Sequence, residues 1–232
     1  MSAIACPYSA IVFDLDGTLI DSAPDIGRAV NALLAEQGLP AIDAAMTRRF
    51  VGEGGRVLVD RAFAHHGMRL DEARLDELTA RFVDHYRRDP VAGTVLYPGS
   101  EKLLRAWHGQ GVRLAICTNK FESLSVDILR RLAVLDLFAC VAGADTFAMR
   151  KPDPGHLLET LKRIGVGAGD AAMVGDSVHD VETARRAHVP VVAVAWGYSA
   201  TPAHQLGADA VIGAYSELPA VLRRLRDGAR VS

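Results

Sequence analysis

The spacing of apolar residues divides the chain into two unlike parts. Between residues 21 and 96 the apolar positions recur at helical spacing, as in Ile26, Val30, Leu33 and Leu34, without strand-like alternation. Glycine and proline interrupt this stretch at 38–40, at 52–55 and near 67. The pattern therefore predicts several short amphipathic helices.

The remainder of the chain alternates short apolar runs with amphipathic stretches, which predicts βαβ units and a parallel sheet. Strands are predicted at 10–12, 112–118, 141–143, 171–175, 190–195 and 209–212, and helices at 100–110, 122–132, 154–164, 178–187 and 218–226. We expect an α/β fold with a Rossmann-like open parallel sheet. Residues 1–20 and 97–232 are predicted to form this core domain, and residues 21–96 an inserted helical cap domain.

Composition narrows the class of protein. Hydrophobic residues make up 50% of the chain and charged residues 23%, with a formal net charge of -2, which is typical of a soluble globular protein and gives no sign of a nucleic-acid or membrane partner. No apolar run reaches the roughly 20 residues of a transmembrane helix. Residues 1–6 lack the pattern of a signal peptide. We expect a cytoplasmic protein.

Two acids directly follow the first predicted strand. Asp14 and Asp16 lie just beyond the carboxyl end of this strand, and open α/β sheets have their catalytic residues at that end. Gly17 permits a tight turn directly after them. One acid of such a pair can act as a nucleophile while the other moves a proton. A turn with two solvated acids remains an alternative for this motif alone.

Three further polar clusters come where predicted strands stop. Thr118 and Asn119 offer a hydroxyl and amides for phosphate oxygens, or a helix cap, and Lys151 projects from a stiff turn or lies on the surface. Asp176 and Asp180 stand one helical turn apart, although acids at a helix start are also common without another role. Four aspartates on one face would repel each other unless a cation, most plausibly Mg²⁺, lay among them.

The four motifs in this order resemble the haloacid dehalogenase superfamily, and the helical insertion is similar to its C1 cap. The resemblance implies that Asp14 attacks phosphorus and that Asp16 protonates the leaving alcohol and later activates water. It implies that Thr118 and Lys151 hold the phosphoryl group. Mg²⁺ would be bound by Asp14, the Asp16 carbonyl and Asp176, with support from Asp180. A dehalogenase needs no acid at position 16, so Asp16 favours a phosphatase.

Within that superfamily the sequence is similar to the bacterial phosphoglycolate phosphatases in residues 51–54, 97–99, 118–120, 151–154, 175–177 and 196–198. This similarity implies a small phosphorylated metabolite, 2-phosphoglycolate, as the substrate. It also implies that a glycine-rich cap loop closes over the substrate, with Gly52 and Glu53 near it. Arg56 either pairs with the substrate carboxylate or lies on the surface. The similarity adds Asn119 to the substrate-binding residues. Relatives often carry Asn where this chain has Glu53, which places an additional negative charge near an anionic substrate.

Other functions remain open at this point. A C1-cap phosphatase for N-acetylmuramate 6-phosphate, a sugar phosphate or a nucleotide is one alternative, and a phosphosugar mutase is another. A receiver-like phospho-acceptor module also combines acids, Thr and Lys around Mg²⁺, but has no helical insertion. The chain is compatible with a monomer or a homodimer. Trp107, Trp196 and the Tyr198 region are assigned to packing by default, with cap closure and dimerisation as alternatives.

Overall fold

A six-stranded parallel sheet forms the centre of the molecule, as seen in a computed structural model that describes residues 5–229. Its strand order is β5-β4-β1-β6-β7-β8, so the first strand lies in the interior of the sheet. The strands are β1 (Ala10–Phe13), β4 (Arg113–Cys117), β5 (Phe138–Ala142), β6 (Ala171–Gly175), β7 (Val191–Val194) and β8 (Ala210–Ile212), while β2 (Ile20–Asp21) and β3 (Val95–Leu96) pair separately. The α/β fold with an open parallel sheet is thus confirmed.

Helices cover both faces of the sheet. The described helices are α1 (Ala23–Glu36), α2 (Ala44–Phe50), α3 (Gly55–His65), α4 (Glu72–Arg88), α5 (Ser100–His108), α6 (Glu122–Arg131), α7 (Pro154–Arg163), α8 (Val178–Arg186) and α9 (Leu218–Ala229). In β1, Ile11 and Phe13 belong to one buried cluster with α5, α6 and α9, whereas Ala10 and Val12 belong to another with α7 and α8. Burial on both faces explains why the central strands read as continuous apolar runs.

The predicted strand at 141–143 is longer in the structure. It begins at Phe138 as β5, directly after a 3-10 turn at Leu135–Leu137. This strand lies at the edge of the sheet, and only Cys140 and Ala142 of its five residues are buried. Leu137 and all residues of the strand are apolar, so the sequence carries no polar residue that marks where the strand begins.

Four helices, α1 to α4, lie between β2 and β3, in the stretch where only helices were predicted. The antiparallel pairing of Ile20 with Leu96 and of Asp21 with Val95 brings the two ends of this insertion together. This ribbon was not predicted because two residues are too few to show alternation. The division into residues 1–20 with 97–232 and residues 21–96 stays a prediction.

The start of α1 is tied to other parts of the chain. Ser22 occupies the N-cap position but makes no capping hydrogen bond, and its hydroxyl instead donates to Asp16 Oδ1 at 2.5 Å. Asp25, in the first turn of α1, is buried and accepts hydrogen bonds from Thr94 N at 2.8 Å and Thr94 Oγ1 at 2.7 Å. Asp25 therefore fixes the start of the insertion to its end.

No helix among residues 5–229 has the length and apolar content needed to cross a membrane.

Candidate active site

The end of β1 places Asp14 at the carboxyl edge of the sheet. Its backbone N–H donates to Val174 O at 2.9 Å, which continues the pairing with β6. Behind it, Gly17 has a φ of 82°, and a Cβ there would lie 2.7 Å from Asp176 Oδ2. Only glycine combines this backbone conformation with so close an approach. The turn therefore brings the first acidic motif against the second.

Three buried carboxylates meet at this edge. Asp14, Asp176 and Asp180 each offer an oxygen, and these oxygens lie within 4.8 Å of one another. We call these three residues the acid cluster. Lys151 Nζ lies 2.8 Å from Asp14 Oδ1 and 2.5 Å from Asp180 Oδ1. Lys151 thus contacts two of the three carboxylates, and its single positive charge does not balance the negative charge of the whole cluster.

Burial and the shortage of positive charge raise the pKa values of two carboxyl groups in the acid cluster. Burial, opposed by Lys151 and reinforced by Asp180, raises the pKa of Asp14 to about 6. Burial and the neighbouring charges of Asp14 and Asp180 raise the pKa of Asp176 to about 8. Both groups are costly to ionise as they stand, and a bound cation would relieve that cost.

Asp180 is held by the start of its own helix. Ser177 and Asp180 form a capping box, in which Asp180 Oδ2 accepts from Ser177 N at 3.0 Å and from Ser177 Oγ at 2.7 Å. Asp180 Oδ1 accepts a hydrogen bond from Lys151 Nζ. Since both oxygens have partners, Asp180 orients Lys151 and its own loop.

Asp176 depends on Gly197 and Tyr198, which the sequence analysis had not connected to it. Tyr198 N donates to Asp176 Oδ2 at 2.7 Å, and a Cβ on Gly197 would lie 2.1 Å from Asp176 Cβ. The Tyr198 hydroxyl donates to Asp21 Oδ1 at 2.6 Å and accepts from Ser22 N at 2.8 Å. Tyr198 therefore connects the acid cluster to the beginning of the insertion, which the default assignment of this residue to packing does not include.

Asp16 faces a different set of partners from Asp14. Besides Ser22, both of its oxygens accept from Lys120 Nζ at 3.0 Å. Lys120 Nζ also donates to Tyr86 Oη at 3.0 Å. Lys120 followed the Thr118 and Asn119 pair in the sequence, but nothing in the sequence indicated that it reaches back to Asp16.

Thr118 and Asn119 lie beyond the end of β4. Thr118 N donates to Ala142 O at 2.9 Å, and its side chain is buried. The Asn119 amide donates to Lys151 O at 3.3 Å and to Gly52 O at 3.4 Å. Asn119 thereby contacts both the Lys151 turn and the glycine-rich loop of the insertion.

The charged residues of the glycine-rich loop are paired with other protein groups. Glu53 forms an ion pair with Arg61 and lies 3.8 Å from His179 Nε2. Arg56 pairs with Glu72 and, at 2.9 Å, with Asp76, both of which are exposed. The negative charge of Glu53 is thus balanced, and the predicted contact of Arg56 with a substrate carboxylate stays a prediction.

A narrow cavity of about 40 Å³ lies between the sheet edge and the insertion. Its polar end carries Asp14, Asp16, Thr118, Asn119 and Lys120, and its loop side carries Gly52 and Gly54. The remaining wall is mostly apolar and is formed by Ile26, Val51, Gly55, Leu58, Phe82, Tyr86, Phe121 and Leu124. The arrangement combines two carboxylates with hydroxyl, amide and ammonium donors that suit phosphate oxygens, all at one end of a pocket.

Known proteins are similar to this chain in both sequence and fold. The sequence is 46% identical over 208 residues to a phosphoglycolate phosphatase of Mesorhizobium japonicum, covering 90% of this chain and 92% of the relative. It is 47% identical over 214 residues to a phosphoglycolate phosphatase of Rhodospirillum rubrum, covering 90% and 88%.

A crystal structure of a predicted phosphoglycolate phosphatase from Haemophilus somnus superimposes with a TM-score of 0.87 at 27% identity, covering 93% of this chain and 98% of that one. The family profile of the haloacid dehalogenase-like hydrolases matches residues 8–188, which include all four motifs. The chain therefore belongs to the haloacid dehalogenase-like hydrolase family.

Proposed function

We propose that this protein is a Mg²⁺-dependent phosphatase that hydrolyses 2-phosphoglycolate to glycolate and phosphate. The observation that carries the proposal is the position of Asp14 and Asp16, which line one cavity while Asp14 also belongs to the buried acid cluster. The names of the relatives from Mesorhizobium japonicum and Rhodospirillum rubrum support the choice of substrate.

In the first half of the reaction a carboxylate oxygen of Asp14 attacks phosphorus and forms an aspartyl-phosphate. The bond from phosphorus to the ester oxygen breaks, and the leaving glycolate oxygen takes a proton from Asp16. In the second half Asp16 accepts a proton from water, whose oxygen attacks phosphorus and breaks the bond to Asp14. Phosphate is released and both acids return to their starting states.

Lys151 and Thr118 serve the transferring group. Lys151 remains protonated, because burial opposes its charge less than Asp14 and Asp180 favour it, so its pKa lies above the usual range. Its ammonium and the Thr118 hydroxyl neutralise and orient phosphoryl oxygens, and the Asn119 amide holds the loop beside them.

The acid cluster fits Mg²⁺. Its donors are oxygen atoms only, and the raised pKa values of Asp14 and Asp176 indicate uncompensated negative charge. Asp14, the Asp16 carbonyl and Asp176 would hold the ion, and Asp180 would support them through Lys151. The bound ion supplies charge neutralisation for the nucleophile and the phosphoryl group.

Residues 21–96 act as a cap in this proposal. The cavity lies between the sheet edge and the insertion. Movement of the insertion away from the sheet edge would admit substrate, and its return would exclude water. The short ribbon of β2 and β3 contains both chain connections between the insertion and the rest of the protein, so it is the expected hinge.

The test is phosphate release from 2-phosphoglycolate, sugar phosphates, N-acetylmuramate 6-phosphate and nucleotides, with and without Mg²⁺. A Mg²⁺-dependent preference for 2-phosphoglycolate of about a hundredfold in kcat/KM supports the proposal. Preference for another ester would change the substrate and keep the reaction. Isomerised sugar phosphate without free phosphate would indicate a mutase, and a lasting phosphoprotein without turnover would indicate a phospho-acceptor.

A further inference from the structure

The positive charges around the cavity are unevenly distributed. Among the described residues that line it, Lys120 is the one cationic side chain. Arg56, although it begins a helix beside the cavity, is directed to Glu72 and Asp76 on the outer surface. A second anionic group on the substrate would thus find its nearest partner at Lys120.

Lys120 is built into the site from both sides. Its side chain is 6% exposed, and its ammonium contacts Asp16 from the sheet edge and Tyr86 from α4 of the insertion. It also lies 4.4 Å from the centroid of the Tyr86 ring. Burial opposes its charge, but Asp16 and Tyr86 together outweigh burial and raise the pKa of Lys120 to about 12. The group is an ammonium ion at physiological pH.

Tyr86 adds a second donor at the same point. Its Oη accepts the hydrogen bond from Lys120, so its own hydroxyl proton is available to an anion. An ammonium and a phenol that face one position suit the two oxygens of a carboxylate. The two residues come from opposite walls, so this subsite is complete only when the insertion is closed over the sheet edge.

We propose that Lys120 and Tyr86 bind a carboxylate of the substrate, and that this carboxylate displaces Asp16 from Lys120. The inference rests on the proposed phosphatase function and deepens it. It specifies the substrate class as small phosphate monoesters that carry a carboxylate close to the ester oxygen.

The exchange of partners leaves no charge uncompensated. A substrate carboxylate buried without a cation would carry a large desolvation penalty, whereas Lys120 supplies a cation that is already desolvated. Asp16, released from Lys120, takes up a proton from solvent and turns as the neutral acid to the leaving oxygen of the ester, to which it gives that proton. An ester without the carboxylate leaves Asp16 held by Lys120, so selectivity and turnover are coupled.

The test compares 2-phosphoglycolate with 2-hydroxyethyl phosphate, which has a neutral hydroxymethyl group in place of the carboxylate. The measured quantity is the ratio of the two kcat/KM values in the presence of Mg²⁺. Lys120→Met is expected to lower this ratio about 30-fold, and Tyr86→Phe about fivefold, as expected for a charged and a neutral hydrogen bond. Lys162→Met, a matched change at a side chain that is 75% exposed, is expected to leave the ratio unchanged.

Three outcomes would overturn the inference. An equal loss on both esters in Lys120→Met would mean that Lys120 only positions Asp16. An unchanged ratio in Lys120→Met, or a lower ratio in Arg56→Met alone, would place carboxylate recognition elsewhere while the phosphatase stands. No phosphate from either ester with the wild type would overturn the proposed function itself. If Lys120→Met does not fold, Tyr86→Phe decides, since an unchanged ratio there excludes the subsite.

Discussion

The acid cluster and the wall that the insertion contributes to the cavity are organised in opposite ways. In the acid cluster, buried charges are held by hydrogen bonds, as with Asp176, which accepts from Tyr198 N at 2.7 Å and Thr18 Oγ1 at 3.2 Å. The insertion turns apolar side chains such as Leu58 and Phe82 to the cavity and pairs its charges outside. Changes in the first region should abolish turnover of every ester, and changes in the second should alter which ester is used.

The largest effect is expected for Asp14→Asn. The variant loses the nucleophile, and kcat for any phosphate ester should fall by about 10⁴ or more. Asp60→Asn, an exposed position on α3, is the matched control and should keep wild-type activity. Residual activity of Asp14→Asn within tenfold of the wild type would contradict the role of the acid cluster.

Mg²⁺ should stabilise the protein through the acid cluster and not through the insertion. At about 100 times its Kd the ion should add about 2.7 kcal/mol to the free energy of unfolding. Thermal denaturation should show a rise in Tm with Mg²⁺ that EDTA reverses. Asp176→Asn should remove the rise in Tm, and Tyr86→Phe should keep it. The reverse pattern would mean that the ion binds at the insertion and not at the acid cluster.

A pH effect on stability is expected from His156 in the core. Burial and the charge of Lys151 lower the pKa of this histidine to about 4. Its folded pKa lies below its unfolded value of 6.5, so the unfolded state binds more protons below that value. Its contribution is therefore present above pH 6.5 and is lost as the pH falls toward 4, by roughly 3 kcal/mol in total.

Denaturant unfolding at a series of pH values measures this effect. His156→Gln has no group that titrates in this window, so its stability should fall less steeply between pH 6.5 and 4.5 than that of the wild type. Parallel curves for the two proteins would show that His156 does not carry a lowered pKa.

The smallest effect concerns the connection between the two regions. Tyr198→Phe removes the hydroxyl that bonds Asp21, Ser22 and Ala23, and should lower the free energy of unfolding by about 1 to 2 kcal/mol. The Tyr8 hydroxyl is buried without a hydrogen-bond partner among the described residues, so Tyr8→Phe should be nearly neutral. Equal losses in the free energy of unfolding for the two variants would mean that the Tyr198 hydroxyl does not connect the two regions.

The same contrast decides what the sequence could predict. Asp14, Thr118 and Asp176 each follow a buried parallel strand, and the carboxyl ends of such strands share one edge of the sheet. Their convergence is therefore a consequence of the alternation of strands and helices. The helical insertion was equally visible, because amphipathic spacing alone marks it.

Contacts between distant residues could not be predicted in this way. Lys120 and Asp16 are separated by 104 positions, and their pairing depends on the conformations of two loops. Arg56 stands in the predicted loop, but its direction is decided by Glu72 and Asp76 on α4. Ser22 has the sequence of an N-cap, yet the nearby carboxylate of Asp16 takes its hydroxyl. Local patterns determine elements, and side-chain partners follow only from the assembled fold.

If Asp14 carries the phosphoryl group during turnover, rapid acid quenching should trap it there. Wild-type protein is mixed with 2-phosphoglycolate and Mg²⁺, quenched during turnover, and digested for mass spectrometry. We expect one added phosphoryl group on Asp14, which decays as phosphate is released and is missing in Asp14→Asn. Release of phosphate with no adduct on Asp14, or with the adduct on another residue, would contradict this expectation.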